Sequence, residues 1–396
     1  ALLPVLQLVV LKMLPFDNKS EFQVVLNMPE GTPVETTAAV LDELAAEVRG
    51  LPEVMDFQAY AGTSAPINFN GLVRQYNLRQ APELGDLQVN LVDKHLRDRK
   101  SHDIARAVRP GLAAIGRRHG ASVQIVEVPP GPPVMAPLVA EVYGPTYAQQ
   151  RRVAAELRRV FDATPDIVDT DDSLEAPATR LILAVDREKA ARLGVAQQQI
   201  AEVIGAALGG ENATFLHAGR EREPVAVRLQ LPADNQMDLE SLLTLKARSA
   251  SGQTVPLGEL VDSRQYDWDG VIHHKDLLPV VYVTGDMAGR LDSPLYGMFR
   301  IIGRAREGLP EGPGLTQRYI SPPADPDELA IKWDGEWQIT YETFRDMGLA
   351  YAVGLVLIYL LVVAQFGSYA VPLIIMAPIP LTLIGVMPGH VLFGAQ

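Results

Sequence analysis

No cysteine occurs in the 396 residues. That excludes a disulfide framework, thiolate metal sites and a cysteine nucleophile. It agrees with an oxidising compartment, where a stray thiol is a liability. Positive charge is in deficit as well: the formal net charge is −13 and the pI about 5.1. No basic stripe is available to neutralise phosphates, so nucleic acid is excluded as a partner. The patterns G-x-x-x-x-G-K-[ST], G-x-S-x-G and H-E-x-x-H are all missing. ATP hydrolysis and the common hydrolase chemistries therefore have no residue basis, and no catalytic residue, metal site or cofactor is assigned. One further absence is local. After Asp346 there is no Asp, Glu, Lys or Arg through to Gln396.

That uncharged tail holds two apolar runs. Residues 347–364 form an unbroken stretch of 18 positions, which as a helix is about 27 Å long and close to the thickness of a hydrocarbon core. A second run, 370–391, contains Pro372, Pro378, Pro380 and Pro388; membrane helices tolerate proline because neighbours satisfy the freed carbonyls. The short connection predicts a transmembrane hairpin over 341–396, with spans at 347–365 and 370–391. Residues 1–10 are apolar apart from Gln7, and Lys12 is placed to snorkel. With no basic leader or cleavage site, residues 1–15 read as the end of a transmembrane helix rather than a signal peptide. Both ends stop inside an apolar pattern, so the chain is expected to be part of a longer protein.

Between these ends a unit recurs: alternating strand, turn, amphipathic helix, strand. Strand 22–28 is followed by Pro29-Glu-Gly-Thr-Pro33 and a helix to about Arg49, with Val40, Leu41, Leu44 and Val48 on one face. Thr32 with Glu35 predicts a capping box. Strands at 54–60, 87–92 and 123–128 and a helix at 101–119, with Ser101 as its cap, complete a βαββαβ set, the ferredoxin-like arrangement. A proline-rich joint, 129–137, opens a second set: strand 138–143, helix 146–163, strand 167–173. Its other half comes about a hundred residues later, at 279–285, 293–306 and 314–320. The fold class is therefore α+β: two ferredoxin-like βαββαβ subdomains, at 16–133 and at 134–177 with 266–340, the second split by a mixed α/β insertion at 178–265. That insertion predicts a strand at 180–185, helices at 187–192 and 197–208, the latter stopped by Gly209-Gly210, and hairpins turning near 220–223 and 251–252. A small module inserted in a loop is suited to partner contact, with Arg220, Glu221 and Arg222 at its exposed turn.

This layout resembles the porter and docking region of resistance–nodulation–division (RND) efflux permeases, the acriflavine-resistance-like transporters. Local stretches resemble the family too: Phe16-Asp-Asn-Lys-Ser-Glu-Phe-Gln-Val-Val-Leu-Asn-Met-Pro-Glu-Gly31, Asp186-Arg-Glu-Lys-Ala-Ala-Arg-Leu-Gly-Val195, Phe344-Arg-Asp-Met-Gly348 and Gln365-Phe-Gly-Ser-Tyr-Ala-Val-Pro372. The likeness covers nearly the whole chain and suggests the second of two homologous halves. It implies a proton antiporter in the bacterial inner membrane, not an enzyme. The bulk of this chain would lie in the periplasm, as part of a homotrimer working by alternating access. It further implies a periplasmic adaptor protein, an outer-membrane channel and the lipid bilayer as partners. The family's intramembrane proton relay has no counterpart among these residues.

By the same resemblance, substrate contacts belong in the cleft between the two ferredoxin-like subdomains. The loop 61–80 is long for a compact domain and carries Phe69 and Tyr76; it resembles the family's gating loop. Phe57 and Tyr60 stand on the strand before it. Met28 and Met135 match two positions of the methionine cluster that heavy-metal exporters use for soft Cu(I) or Ag(I), whereas the stretch 84–89, where a third is expected, has no Met. Multidrug efflux is accordingly the first expectation, with heavy-metal (Cu/Ag) efflux and a protein-translocation accessory of the superfamily as alternatives. The acidic run Asp169, Asp171, Asp172 reads as a solvated strand end, and His273-His274 as a solvated loop.

Overall fold

The computed structural model describes residues 17–66, 71–72, 78–128, 134–217, 219, 223–232, 238–268, 270–289, 293–309 and 315–392. The expected helix end at 1–15, Phe69, Tyr76 and most of the loop around them, and Arg220, Glu221 and Arg222 lie outside the described residues. The chain forms two compact units: one from the chain up to Glu175 and again from Val271, the other Ala176–Gly270.

The first unit opens with β1, Glu21–Asn27, whose alternation sends Phe22, Val24 and Leu26 into a core. Helix α1, Val34–Arg49, lays Val40, Leu41, Leu44 and Val48 on it. Strands β2, Val54–Ala61, and β3, Leu84–Leu91, helix α2, Ser101–Arg118, and strand β4, Ser122–Val126, follow. The sheet is antiparallel in the order β2-β3-β1-β4. The caps differ from the sequence reading. Pro33 occupies the N-cap of α1 without a side-chain bond, and the Thr32 hydroxyl instead donates to Pro29 O at 2.5 Å, closing the turn. Ser101 lies inside α2. The distant Asn18 Oδ1 accepts from the Ser101 amide at 3.0 Å and so satisfies one of the orphan donors of that helix end.

A second sheet begins with β5, Leu138–Tyr143, helix α3, Tyr147–Ala163, and β6, Ile167–Asp172. Thr146 Oγ1 caps α3 by accepting from Gln149 N at 3.3 Å. The chain then enters the smaller unit: β7 (Thr179–Val185), α4 (Arg187–Arg192), α5 (Gln197–Gly209), β8 (Glu211–Leu216), β9 (Val225–Leu229), α6 (Leu239–Thr244), β10 (Lys246–Arg248), β11 (Thr254–Pro256) and β12 (Val261–Asp267). Its core is Val195, Ile200, Leu257 and Leu260 with their neighbours. The strands pair as three two-stranded ribbons, β7 with β12, β8 with β9 and β10 with β11.

Back in the first unit come β13 (His273–Lys275), β14 (Leu278–Met287), helix α7 (Pro294–Gly308), β15 (Thr316–Arg318) and β16 (Ala330–Gly335). The order is β13-β14-β5-β16-β15, with β6 also pairing β14. Leu138, Ala140 and Val142 of β5 meet Val281, Val283, Ile331 and Trp333 beneath α3 and α7, and Trp333 stacks on Phe161 at 6.3 Å. The neighbour of β5 in this sheet, β16, is absent from the sequence reading. Its Ala-Ile-Lys-Trp-Asp-Gly follows a Pro- and Asp-rich stretch and carries a lysine that the fold buries. His273 and His274 stand on β13, not in a loop, and the His273 ring meets the Tyr282 ring edge-on at 6.1 Å.

Helix α8 starts directly after β16 and runs Glu336–Phe366, 31 residues, so the uncharged run is the second part of a longer helix. It ends at Gly367 in the left-handed region, φ +61°, where glycine carries no Cβ penalty. The second apolar run divides into α9, Ala370–Met376, and α10, Pro378–Leu392. Among the described residues one helix, α8, is long and apolar enough to cross a membrane.

Candidate functional site

Within the first unit, a cavity of about 170 Å³ lies between the two sheets. One wall is Asn27 at the end of β1, Arg79, and Gln124–Val126 of β4. The other is Met135–Pro137, Asp169 and Asp171–Ser173 around the end of β6, and Tyr282 with Thr284–Asp286 of β14. The lining mixes carboxylates, amides, a guanidinium, a thioether and a phenol ring. A cavity this size is smaller than the roughly 300–1,000 Å³ of pockets that hold drug-sized ligands.

The acidic run belongs to this wall, and the expectation of a solvated strand end is overturned. Asp169 Oδ2 accepts from Ile125 N at 3.0 Å and forms an ion pair with Arg109 of α2. Asp171 Oδ2 accepts from Gln124 Nε2 at 2.8 Å and Asn27 Nδ2 at 3.2 Å. Asp172 pairs with Arg158 of α3 at 2.7 Å. Burial raises the proton affinity of Asp171, an effect that the nearby Arg158 opposes. Burial likewise raises Asp86, behind the wall, although Ala65 N donates to it at 2.9 Å and Arg79 lies 3.5 Å away. The sequence holds no local signal for these contacts. Asn27, Arg109 and Gln124 are 144, 60 and 47 positions from their carboxylate partners.

The predicted site residues scatter. Met135 lines the cavity and is 48% exposed. Met28 is 6% exposed and packs in the first core, so the two methionines do not share this cavity. Phe57 is half-buried against that core, with the Arg49 guanidinium 5.2 Å from its ring centroid. Tyr60, on the same strand, donates to Gln58 Oε1 at 2.6 Å. Neither is among the residues lining the cavity.

A second polar cluster lies on the face of the second sheet opposite α3 and α7. Glu141 and Lys332 are 0% and 3% exposed. Lys332 Nζ is 3.3 Å from Glu141 and 3.1 Å from Asp334, Lys275 Nζ pairs with both carboxylates, and Tyr143 donates to Glu141 at 2.8 Å. Burial raises the proton affinity of Glu141 and, with the Glu141 carboxylate beside it, that of the Tyr143 phenol. Asp334 is held low: burial opposes its charge, but hydrogen bonds and the two lysines outweigh it. The signal for this cluster is present in the sequence as one acid inside the apolar Leu-Val-Ala-Glu-Val-Tyr strand.

The profile of the AcrB/AcrD/AcrF family matches residues 5–396. Relatives include the swarming motility protein SwrC of Bacillus subtilis, 20% identical over 63% of this chain and 22% of its own. The nickel and cobalt resistance protein CnrA of Cupriavidus metallidurans is 23% identical over 64% of this chain and 22% of its own. The multidrug export protein AcrF of Escherichia coli is 26% identical over 54% of this chain and 19% of its own. The chain thus spans about a fifth of the length of these relatives. A crystal structure of a heavy metal efflux pump superposes with a TM-score of 0.74 at 19% identity, covering 99% of this chain and 38% of the pump, which shows the shared fold. With a family-wide match across the described fold, this chain belongs to the AcrB/AcrD/AcrF family of RND permeases.

Proposed function

We propose that the chain is the porter and docking part of an inner-membrane efflux pump that exports hydrophobic or amphiphilic compounds of several kinds. The observation that carries this reading is the cavity between the two sheets, walled by amides, carboxylates, Arg79, Met135 and Tyr282. A lining of mixed polarity with one soft and one aromatic side chain suits amphiphiles of varied shape better than one ion. In support, the first sheet follows a βαββαβ chain order and the second the same order with β13 and β15 added, which we read as ferredoxin-like porter subdomains. The unit Ala176–Gly270 is read as the docking module that meets an adaptor protein and an outer-membrane channel, and α8 as the helix that ties the chain to the inner membrane. Transport would be driven by proton antiport in a homotrimer, with most of this chain in the periplasm. The soft-metal alternative asks Met28 and Met135 to act together, and Met28 packs in the first core away from this cavity.

The test uses the full-length gene in a Gram-negative strain stripped of its own pumps, with any adjacent adaptor gene. Growth is titrated against lipophilic drugs, dyes, detergents and bile salts beside Cu(I), Ag(I) and Zn(II). Resistance to the organic panel, reduced by Tyr282→Ala or Met135→Ala, is expected. Resistance to soft metals alone, lost in Met28→Leu, would overturn the reading.

A further inference from the structure

The cavity and the seam that closes it share their residues. Asn27, Gln124, Ile125, Asp169 and Asp171 line the cavity, and four hydrogen bonds between the two subdomains end on Asp169 and Asp171. The acids come from β6; the donors come from β1, α2 and β4 of the other subdomain.

The backbone of β6 is bent to make this possible. Its pairing with β14 runs Asp172 to Val283 and Asp171 to Thr284, then resumes at Val168 with Asp286. Two residues, Asp169 and Thr170, thus oppose the single Gly285: a β-bulge, a device that re-aims a side chain. Asp169 has φ +51°, in the left-handed region that aspartate enters more readily than most residues but still at a cost in strain. The two strained features fall on the residue that reaches across to Arg109 and the Ile125 amide. A regular strand would not need either.

Resting on the transport reading above, we propose that Asp169 and Asp171 are positioning residues that clasp the two subdomains shut over the cavity, and that parting this clasp is the step that admits cargo. The cavity at about 170 Å³ is too small for a drug-sized molecule. Parting the seam enlarges it because the clasp residues are its walls. The clasp is made of hydrogen bonds and an ion pair, not of interdigitated apolar side chains. As the seam parts, water replaces the donors that each carboxylate loses, so the contacts exchange without exposing an apolar core.

The test is made on the full-length transporter in membranes. This chain has no cysteine of its own, and any elsewhere in the protein is replaced first. A reporter pair, Val126→Cys with Ser173→Cys, stands one in each wall of the cavity and leaves both aspartates in place. The yield of a short bifunctional thiol cross-linker reads closure, and dye export reads function. In the parent the pair is expected to cross-link efficiently, export to stop on cross-linking, and saturating dye to lower the yield at least about twofold, as a two-state shift requires. Asp169→Asn with Asp171→Asn is expected to lower the yield without dye and to abolish the dye effect. Asn27→Ala with Gln124→Ala removes donors from the opposite side, leaves the bulge intact, and is expected to do the same; it covers the case in which the aspartate variant fails to fold. Unchanged cross-linking in both double variants, or undiminished export by the cross-linked protein, overturns the clasp. The yield needs no cargo, so a parent that exports nothing while its yield falls in both variants would sink the transport reading and keep the clasp.

Discussion

The two sheets of the larger unit bury a polar outer face in different ways. Behind the first sheet the outward side chains are mainly amides. Gln88 donates to Glu21 at 3.0 Å, Asn90 donates to Asp56 at 2.6 Å, and Gln23 is 1% exposed. Behind the second sheet they are ions, with Glu141, Lys332, Lys275 and Asp334 in one network. The partly exposed amides Gln88 and Asn90 lose little when a partner goes, since water replaces it. Buried ions have no such exit, because each cation holds two acids in a low-dielectric setting. The second sheet is therefore expected to be the brittle one, although its apolar core is built as the first is.

The largest effect that would break this contrast is at Lys332. Lys332→Ala leaves Glu141 and Asp334 with a half-exposed Lys275, and is expected to cost about 3–5 kcal/mol. Hydrogen exchange on the full-length protein should show faster exchange in β5 and β16 and little change in β1 and β3. Equal loosening of both sheets would end the comparison.

Gly335 comes next. It joins β16 to α8 with φ +74°, and a Cβ there would sit 2.7 Å from the carbonyl oxygens of Ala136 and Pro137. Gly335→Ala is expected to cost about 1–3 kcal/mol, seen as a lower thermal midpoint. Those carbonyls lie just before β5, so the loosening is expected in the second sheet.

Asp86 is the ion on the amide side. Burial raises its pKa above the unfolded value, so the native state binds its proton more tightly. Its contribution is complete below about pH 3.9 and is lost as pH rises through the raised native value. Asp86→Asn should flatten that part of the pH–stability curve for the first sheet. An unaltered curve would show that Arg79 keeps the carboxylate charged throughout. The smallest effect is expected for Gln88→Ala, about 1 kcal/mol or less, since its contact with Glu21 is a single partly exposed hydrogen bond.

Legibility followed contact range. The apolar stripe Val40, Leu41, Leu44, Val48 and the alternation in β1 are local periodicities, so those elements and their inward faces could be read directly. Asp186, capping α4 by accepting from Lys189 N at 2.9 Å, sits in a stretch that resembles the family. Thr32 and Ser101 were misread because a turn carbonyl and a remote asparagine took the places that their hydroxyls were expected to fill. Asp169, Asp171 and Asp172 were misread more deeply. Three acids in four positions look solvated until Arg109, Gln124, Asn27 and Arg158 arrive from other elements.

By itself the sequence determined the periodic elements, the exclusion of thiol and nucleotide chemistry, the uncharged tail, and the resemblance that led to the family. Each of these is carried by neighbours along the chain or by composition, where spacing and side-chain type suffice. The tertiary structure alone decided the place of β16 beside β5, the burial of Lys332 against Glu141, the removal of Met28 into the core and the meeting of the two subdomains on Asp169 and Asp171. Those depend on pairing between segments far apart in the chain. Which donor meets which carboxylate is settled there by strand register and one bulge, quantities that no local pattern encodes.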